Sequence, residues 1–307
     1  MNIRSNKLIK LASIAAVSGM LVGCSDASAK LSDSSTAIFS VGNTTITKGN
    51  MFTTMETMSG ADTAINDATS TISSLEVEVT DEIKSQAEDT LSTYKSMYGD
   101  TFRNRLEEQG MSEEDYINDY IIPSLLAEQL NYKYVEENWA EIIDLYKPVK
   151  ATILEFTSQD DANAAIEELN AGSKDAATAA SDHNSSSTGT SEIYTNQSTD
   201  LDSMIRAVLS SLTTEDGWTY ATGSDGATYY ALHIDENDPE NFRDEATETL
   251  VALSNVQNDA QTYYFRKYNF HIYDITIYNG VANSYPDCLV QDMPEETAEA
   301  KTTAEAE

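Results

Sequence analysis

Histidine and cysteine, the residues that most often bind metals or carry catalysis, are few in this chain and widely spaced. There are three histidines, His183, His233 and His271, and two cysteines, Cys24 and Cys288. No pair of them has the close spacing of a metal-binding motif. Motifs for a nucleophilic serine, a phosphate-binding loop or a dinucleotide-binding turn do not occur either. The sequence therefore predicts no metal site and no cofactor.

The charge balance is strongly acidic. The 307 residues include 52 acidic and 18 basic side chains, which gives a formal net charge of −34. A protein that binds nucleic acid must neutralise phosphates, so this composition argues against nucleic acid as a partner. We interpret the acidity as a device for solubility. The length is enough for two domains of ordinary size.

The N-terminus has the pattern of a targeting segment. Residues 1–10 carry basic and no acidic side chains, and residues 11–22 are apolar but too few to span a bilayer as a stable anchor. Gly23 and Cys24 follow directly. This arrangement resembles the bacterial lipobox, in which the cysteine becomes the lipidated first residue of the mature chain.

The lipobox implies a location outside the cytoplasm. We expect residues 1–23 to be a lipoprotein signal peptide and Cys24 to carry the lipid that anchors the protein to the outer face of the cell membrane. Residues 24–35 are small and polar and are expected to form a flexible spacer. Cys288 is then left without an intrachain disulfide partner.

The stretch after the spacer is mainly helical in pattern. Residues 36–41 favour a short strand, and a helix is expected to begin at Thr47. Residues 62–74 are weakly patterned and are not assigned. Apolar residues then recur every three or four positions from Thr80 onward, which predicts amphipathic helices.

Local signals divide these helices. Gly110 is expected to end one helix, and Ser112 with Asp115 to cap the next. Pro123 is expected to kink that helix or split it in two. The apolar stripe continues to Pro148.

Residues 148–234 have a different pattern, that of an α+β module. We predict a strand, a helix, a polar run, a second short helix and a closing hairpin. These elements cover residues 149–156, 161–169, 204–212, and 218–222 with 227–234. Beyond the module, residues 242–265 have helical spacing and residues 268–275 alternate like a strand. Residues 285–307 are expected to be an acidic, disordered tail.

Three short motifs resemble the PrsA foldase lipoproteins and, more distantly, the periplasmic chaperone SurA. They are IFSVGNTTITK at residues 38–48, YGDTFRNRLEEQGMSEEDY at residues 98–116, and YFRKYNFHI at residues 264–272. Each motif alone is weak, but their order and spacing are fairly specific. The resemblance covers residues 36–278, and residues 62–74 look like a shortened form of the family's second N-terminal helix.

The resemblance implies an α+β protein with one domain inserted into another. Residues 36–147 and 235–284, the latter a helix and a strand, would form a mostly helical chaperone domain, and residues 148–234 a parvulin-type prolyl isomerase domain. Family members sit outside the cytoplasm and bind unfolded or partly folded secreted proteins without ATP. Their helical domains can dimerise, so a homodimer is left open.

Aromatic residues in the helical segments could contact such client proteins. We interpret their spacing first as packing between helices, and the candidates for client contact are Tyr94, Tyr98, Tyr120, Tyr134 and Trp139.

The resemblance also identifies where the isomerase pocket would lie, and the expected residues are replaced there. Thr152 and Tyr230 stand where the family has its two histidines. Leu201 and Ile205 stand where it has methionine and phenylalanine, and Glu192 stands for its acidic residue. His233 is three residues late and would face away from Tyr230 on strand alternation. The module is therefore predicted to have little or no isomerase activity.

Two alternatives remain open at this point. One is a working prolyl isomerase, the activity that the family name implies. The other is a surface adhesin or other binding lipoprotein. A solute-binding protein is disfavoured because the sequence lacks a repeated βαβ pattern.

Overall fold

A computed structural model describes residues 31–292, and these form an α+β protein of twelve α-helices and six strands. The predicted signal peptide, the lipid site at Cys24, most of the predicted spacer and residues 293–307 of the predicted tail lie outside the described residues. Within residues 31–292, none of the helices combines the length and apolar character needed to cross a bilayer.

The described chain opens with a hairpin and a long helix. Strands β1 (Ala37–Val41) and β2 (Thr44–Thr47) pair antiparallel and lead into helix α1 (Lys48–Glu76). Thr47 caps α1 in a reciprocal capping box with Asn50, which confirms the predicted start. Residues 62–74, which we left unassigned, lie inside α1. Their apolar signal is weak because the face contains small residues besides the buried Ile65 and Ile72.

The next helices begin and end largely at the predicted boundaries. They are α2 (Asp81–Tyr98), α3 (Asp100–Gln109), α4 (Glu113–Tyr116), α5 (Ile122–Glu137) and α6 (Trp139–Tyr146). Gly110 ends α3 in the left-handed conformation, and Ser112 and Asp115 form a capping box at α4, both as predicted. Pro123 does not interrupt the helical path from α4 to α5. A π-helical turn over residues 117–121 joins α4 to α5, and Pro123 lies in the first turn of α5.

The module is a four-stranded antiparallel sheet with helices on both faces. Its elements are β3 (Val149–Phe156), α7 (Gln159–Asn170), α8 (Ala176–Asp182), β4 (Ser191–Tyr194), α9 (Ser203–Leu209), β5 (Thr219–Thr222) and β6 (Tyr229–Glu236), with strand order β4-β3-β6-β5. Helices α7 and α8 pack on one face, and α9 packs on the other. We missed α8 and β4, because both are short and lie in the polar run.

The C-terminal part is helical and contains no strand among its described residues. Helices α10 (Arg243–Val251), α11 (Ser254–Lys267) and α12 (Ile275–Ser284) replace the single helix and the strand that we predicted. The prediction of a strand at residues 268–275 was wrong: residues 270–274 are irregular, and the buried Ile272 packs into a helical core. Alternation alone could not reveal the missing partner strand.

The predicted tail also begins too early. Residues 285–292 pack against the helical unit: Cys288 is buried, and the Gln291 side chain donates to and accepts from the backbone of Ile272. The two ends of the chain thus form one unit, since α1 packs against α5, α11 and α12. In chain order, the module is inserted between α6 and α10 of that unit.

Candidate functional site

The structure does not bring the five predicted module positions together. The β3–β6 register pairs Thr152 with His233 and Glu155 with Tyr230. Because side chains alternate along a strand, Thr152 and Tyr230 point to opposite faces of the sheet. The β3 residues buried in the same cluster as Tyr230 are Ala151 and Ile153. Thr152 and Tyr230, the positions that the resemblance assigns to the two histidines, therefore do not converge on one pocket.

The face with Tyr230 is filled by apolar side chains. Ile153, Ile205 and Tyr230 are buried in one cluster, with Leu201 packed against it. Burial, followed by the charge of Glu155, raises the pKa of Tyr230 to about 12. Glu192 lies on the exposed edge strand β4, where its carboxylate accepts a hydrogen bond from Tyr194 at 3.3 Å. Among residues 31–292, no histidine belongs to this cluster.

The opposite face carries a small polar cluster around Asp235. Its carboxylate accepts hydrogen bonds from Thr152 Oγ1 at 2.8 Å and from Ser191 Oγ, and it contacts His233 Nδ1 at 2.7 Å. Trp218 stacks on the His233 ring, with centroids 5.2 Å apart. His233 therefore faces away from Tyr230, as predicted. The cluster ties β3, β4 and β6 together and explains why Thr152 is buried without serving a pocket.

A more open site lies in the helical unit. Five aromatic side chains from α2, α3 and the α4–π segment surround a cavity of about 580 Å³. They are Tyr94, Tyr98, Phe102, Tyr116 and Tyr120. We call this cavity the aromatic pocket. Phe102 and Tyr116 meet edge to face at 5.2 Å, and Tyr116 and Tyr120 stack at 5.3 Å with their planes 20° apart.

The local sequence explains how these rings meet. Tyr94 and Tyr98 are four residues apart on α2 and share one helix face. Gly99, with φ of 52°, ends α2 and precedes α3. The ring centroids of Phe102 and Tyr94 are then 6.3 Å apart. Gly110 then reverses the chain, with φ of 64°, so that Tyr116 returns to the same rings. A positive φ favours glycine at both turns.

The pocket combines apolar faces with a polar rim. Tyr98 and Tyr120 are more than half exposed, at 55% and 54%, whereas Leu106 is buried beneath the rings. Arg105 and Gln109 supply hydrogen-bond donors at the edge. Such a surface can cover an apolar side chain and also bond to a peptide backbone.

Three of the five predicted client-contact residues line the aromatic pocket, and two do not. Tyr134 is half-buried against Tyr263, with ring centroids 5.4 Å apart. Trp139 is 7% exposed, donates its indole N–H to Glu240 at 2.6 Å and lies under the Arg243 guanidinium. Their placement in the helical core corrects our choice of them for client contact. We missed Phe102 and Tyr116, although both belong to the same apolar stripes.

Among residues 31–292, no group of three or more histidine, cysteine or acidic residues could hold a metal ion. The Cys288 thiol is buried, and burial raises its pKa. Its sulfur donates to Gln261 Oε1 at 3.1 Å, which is a structural contact.

Comparison with known proteins finds likeness only among solved structures. No family model and no curated protein sequence matches the chain. The foldase PrsA of Streptococcus pneumoniae is 19% identical, with a TM-score of 0.41 over 80% of this chain and 98% of that one. PrsA of Bacillus cereus is 16% identical, with a TM-score of 0.43 over 80% and 97%. A SurA-like chaperone of Campylobacter jejuni is 12% identical, with a TM-score of 0.19 over 73% and 86%.

Proposed function

We propose that this protein is an extracytoplasmic chaperone of the PrsA type, which binds unfolded segments of secreted proteins in its aromatic pocket. The observation that carries the proposal is the pocket itself: five aromatic rings from three helical segments surround one open cavity, and two of them are more than half exposed. Aromatic rings that only stabilised the core would be buried, as Tyr264 and Phe265 are.

The chemistry of the pocket suits an unfolded polypeptide. Tyrosine offers a large contact area with few rotatable bonds, so little conformational entropy is lost when it binds. Its ring covers apolar side chains, while its hydroxyl can bond to a backbone carbonyl or amide. Binding of this kind is passive, and we propose that it needs no ATP.

The architecture supports the same proposal. Residues 38–48 form the opening hairpin and the start of α1, and residues 98–116 build the turns that frame the aromatic pocket. Residues 264–272 end α11 and contribute Tyr264, Phe265 and Ile272 to the helical core. The three sequence motifs therefore lie at helix starts, turns and helix ends of one helical unit.

Two finer parts of the proposal concern anchoring and catalysis. We propose that a lipid on Cys24 holds the protein at the outer face of the cell membrane, with client proteins as its partners and a homodimer as one assembly. We also propose that the module lacks isomerase activity and acts as a scaffold, because apolar side chains fill the face of Ile153 and Tyr230.

Light scattering by an aggregating client tests the function. A chemically denatured protein is diluted into buffer with increasing amounts of residues 31–292, without nucleotide. We expect aggregation to fall as the two proteins approach equimolar amounts. A folded, monodisperse protein that neither suppresses aggregation nor isomerises prolyl peptides would refute the proposal and favour an adhesin.

A further inference from the structure

A second cavity, of about 270 Å³, lies where helix α6 meets the module. Its apolar walls come from the module, from β3, β4, the segment before α9, α9 itself and the turn after it. They are Val149, Tyr194, Leu201, Leu209 and Leu212. Typical pockets for drug-sized ligands start at about 300 Å³, so this cavity, which we call the junction cavity, has room for one amino-acid residue and little more.

The charged side chains that line the junction cavity are basic, whereas the protein as a whole is acidic. The chain has 52 acidic and 18 basic residues. The residues that line this cavity nevertheless include two cations, Lys147 and Arg206, and no carboxylate. By contrast, a cavity beside the end of α1 is lined by Glu76, Glu78 and further acids. The lining of the junction cavity therefore offers an anion two cations, although the net charge of the chain is strongly negative.

Arg206 is available to a ligand. It lies in the last turn of α9, is half-buried, and its guanidinium has no hydrogen-bond or ion-pair partner within residues 31–292. The other cation, Lys147, reaches only Asp144, at 3.8 Å, and both side chains are exposed. A half-buried guanidinium without a partner favours a planar, two-oxygen anion such as a carboxylate.

Asn196, which also lines the junction cavity, adds an unused acceptor. Its Nδ2 donates to Leu145 O at 2.8 Å, and its backbone N–H donates to Tyr146 O at 3.0 Å. These two bonds to α6 fix the direction of the side-chain amide. The remaining atom, Oδ1, is buried and has no donor within the described chain. A buried acceptor of this kind costs free energy until an N–H group reaches it.

From these features we propose that the junction cavity binds an apolar amino-acid residue with a free α-carboxylate, as found at the C-terminus of a polypeptide. The carboxylate pairs with Arg206, the residue's N–H donates to Asn196 Oδ1, and its side chain packs on Leu209 and Leu212. The site is separate from the aromatic pocket. A client could therefore be held by its C-terminus and by an internal segment at the same time.

Calorimetric titration with three probes tests this site. The probes are acetyl-Ala-Ala-Leu with a free carboxylate, the same peptide with a C-terminal amide, and free leucine. We expect the peptide acid to bind and the amide to bind at least tenfold more weakly, because the amide cannot pair with the guanidinium. If free leucine binds as well as the peptide acid, the ligand is an amino acid and the assignment to polypeptide termini is overturned.

Matched variants locate the binding. We expect Arg206→Gln to weaken binding of the peptide acid at least tenfold. The weaker binding of the peptide amide should stay unchanged. Arg103→Gln should change neither, since Arg103 is exposed on α3 and pairs with Asp100. Equal affinity of the wild-type protein for acid and amide, or no binding of the acid at millimolar concentration, refutes the proposal. This comparison needs no variant, so it stands even if Arg206→Gln fails to fold.

Discussion

Thr152 and Tyr230 lie on opposite faces of the module's sheet, because the strand register pairs Thr152 with His233 and Glu155 with Tyr230. The two positions where the resemblance expects catalytic histidines therefore cannot act on one proline. The β3 residues that pack with Tyr230, Ala151 and Ile153, have no polar side-chain group, and the same cluster includes the fully buried Ile205.

The first prediction is an inert module. Uncatalysed prolyl isomerisation takes tens of seconds, so a coupled assay on an Xaa-Pro peptide can detect weak catalysis. We expect the rate to stay at the uncatalysed background, with an active parvulin as the positive control. A rate well above background that disappears in Tyr230→Phe or His233→Ala would overturn this interpretation.

The second prediction concerns Glu76, which joins the two ends of the chain. Its carboxylate lies 2.5 Å from Lys267 Nζ, accepts from Tyr268 at 2.9 Å, and lies 3.6 Å from Lys133 Nζ. We expect Glu76→Gln to lower the free energy of unfolding at pH 7 by about 1–2 kcal/mol, since Lys267 is partly exposed and screened. Chemical denaturation measures this, and the exposed Glu78→Gln should change it by less than about 0.5 kcal/mol.

The effect of Glu76 should depend on pH. Burial raises the pKa of Glu76, but the hydrogen bonds from Lys267 and Tyr268 and the nearby positive charges outweigh it, so the pKa is lowered. A lowered folded-state pKa gives stability that is fully present above the unfolded-state value, about 4.3, and is lost as the pH falls through the folded-state value. The difference between wild type and Glu76→Gln should shrink in that acidic range. A constant difference would contradict the ion-pair explanation.

The third prediction concerns Glu56, whose pKa is shifted in the opposite direction to that of Glu76. Burial, followed by the charge of Asp274 and hydrogen bonding with it, raises the pKa of Glu56. Asp274 is the N-cap of α12, accepting from the backbone of Thr276 and Ile277. A raised folded-state pKa favours folding below the unfolded-state value and loses that contribution as the pH rises through the folded-state value.

We therefore expect Glu56→Gln to raise the melting temperature at pH 7 by about 1–3 °C. The gain should fade toward pH 4, where wild-type Glu56 also becomes neutral. Asp67→Asn is the matched control, because Asp67 is an exposed acid on α1 and its loss makes the net charge less negative by the same amount. An equal gain in both variants would show that only the overall charge matters.

The fourth prediction tests the packing of α12 on α1. A Cβ atom at Gly280 would lie 3.0 Å from the Ala61 Cβ, and one at Gly60 would lie 3.2 Å from Ile277. We expect Gly280→Val to destabilise the protein by about 1–3 kcal/mol through overpacking. Ala282→Val places the same side chain on an exposed part of α12 and is the surface control. Equal effects of both changes in thermal unfolding would argue against this contact.

The sequence predicted local features better than tertiary ones. Thr47, Gly110 and Ser112 were assigned correctly, because a helix cap or a chain reversal depends on residues no more than about four positions apart. Helix α12 was missed although Ile277, Tyr278 and Val281 have helical spacing and pack in the helical core. The middle of α1 was hidden by its small residues.

The candidate site shows the same division. The i, i+4 spacing of Tyr94 and Tyr98 predicted a shared helix face but could not say whether that face was open. Trp139 gives a similar signal and is buried, because Glu240 and Arg243 from a distant segment cover it. The sequence alone did not show that Thr152 faces away from Tyr230, because the face depends on the strand register and a shift of one residue reverses it.

The central claim is that client proteins bind in the aromatic pocket. Aggregation of a denatured client should be compared for wild type, the double variant Tyr98→Ser/Tyr120→Ser, and the control Tyr273→Ser, which is 65% exposed outside the pocket. Circular dichroism should first show that all three fold alike. We predict that the double variant needs several-fold more protein for the same suppression, since each stacked or covered group contributes about 0.5–1.5 kcal/mol, while Tyr273→Ser behaves like wild type. Equal suppression by all three would contradict the account.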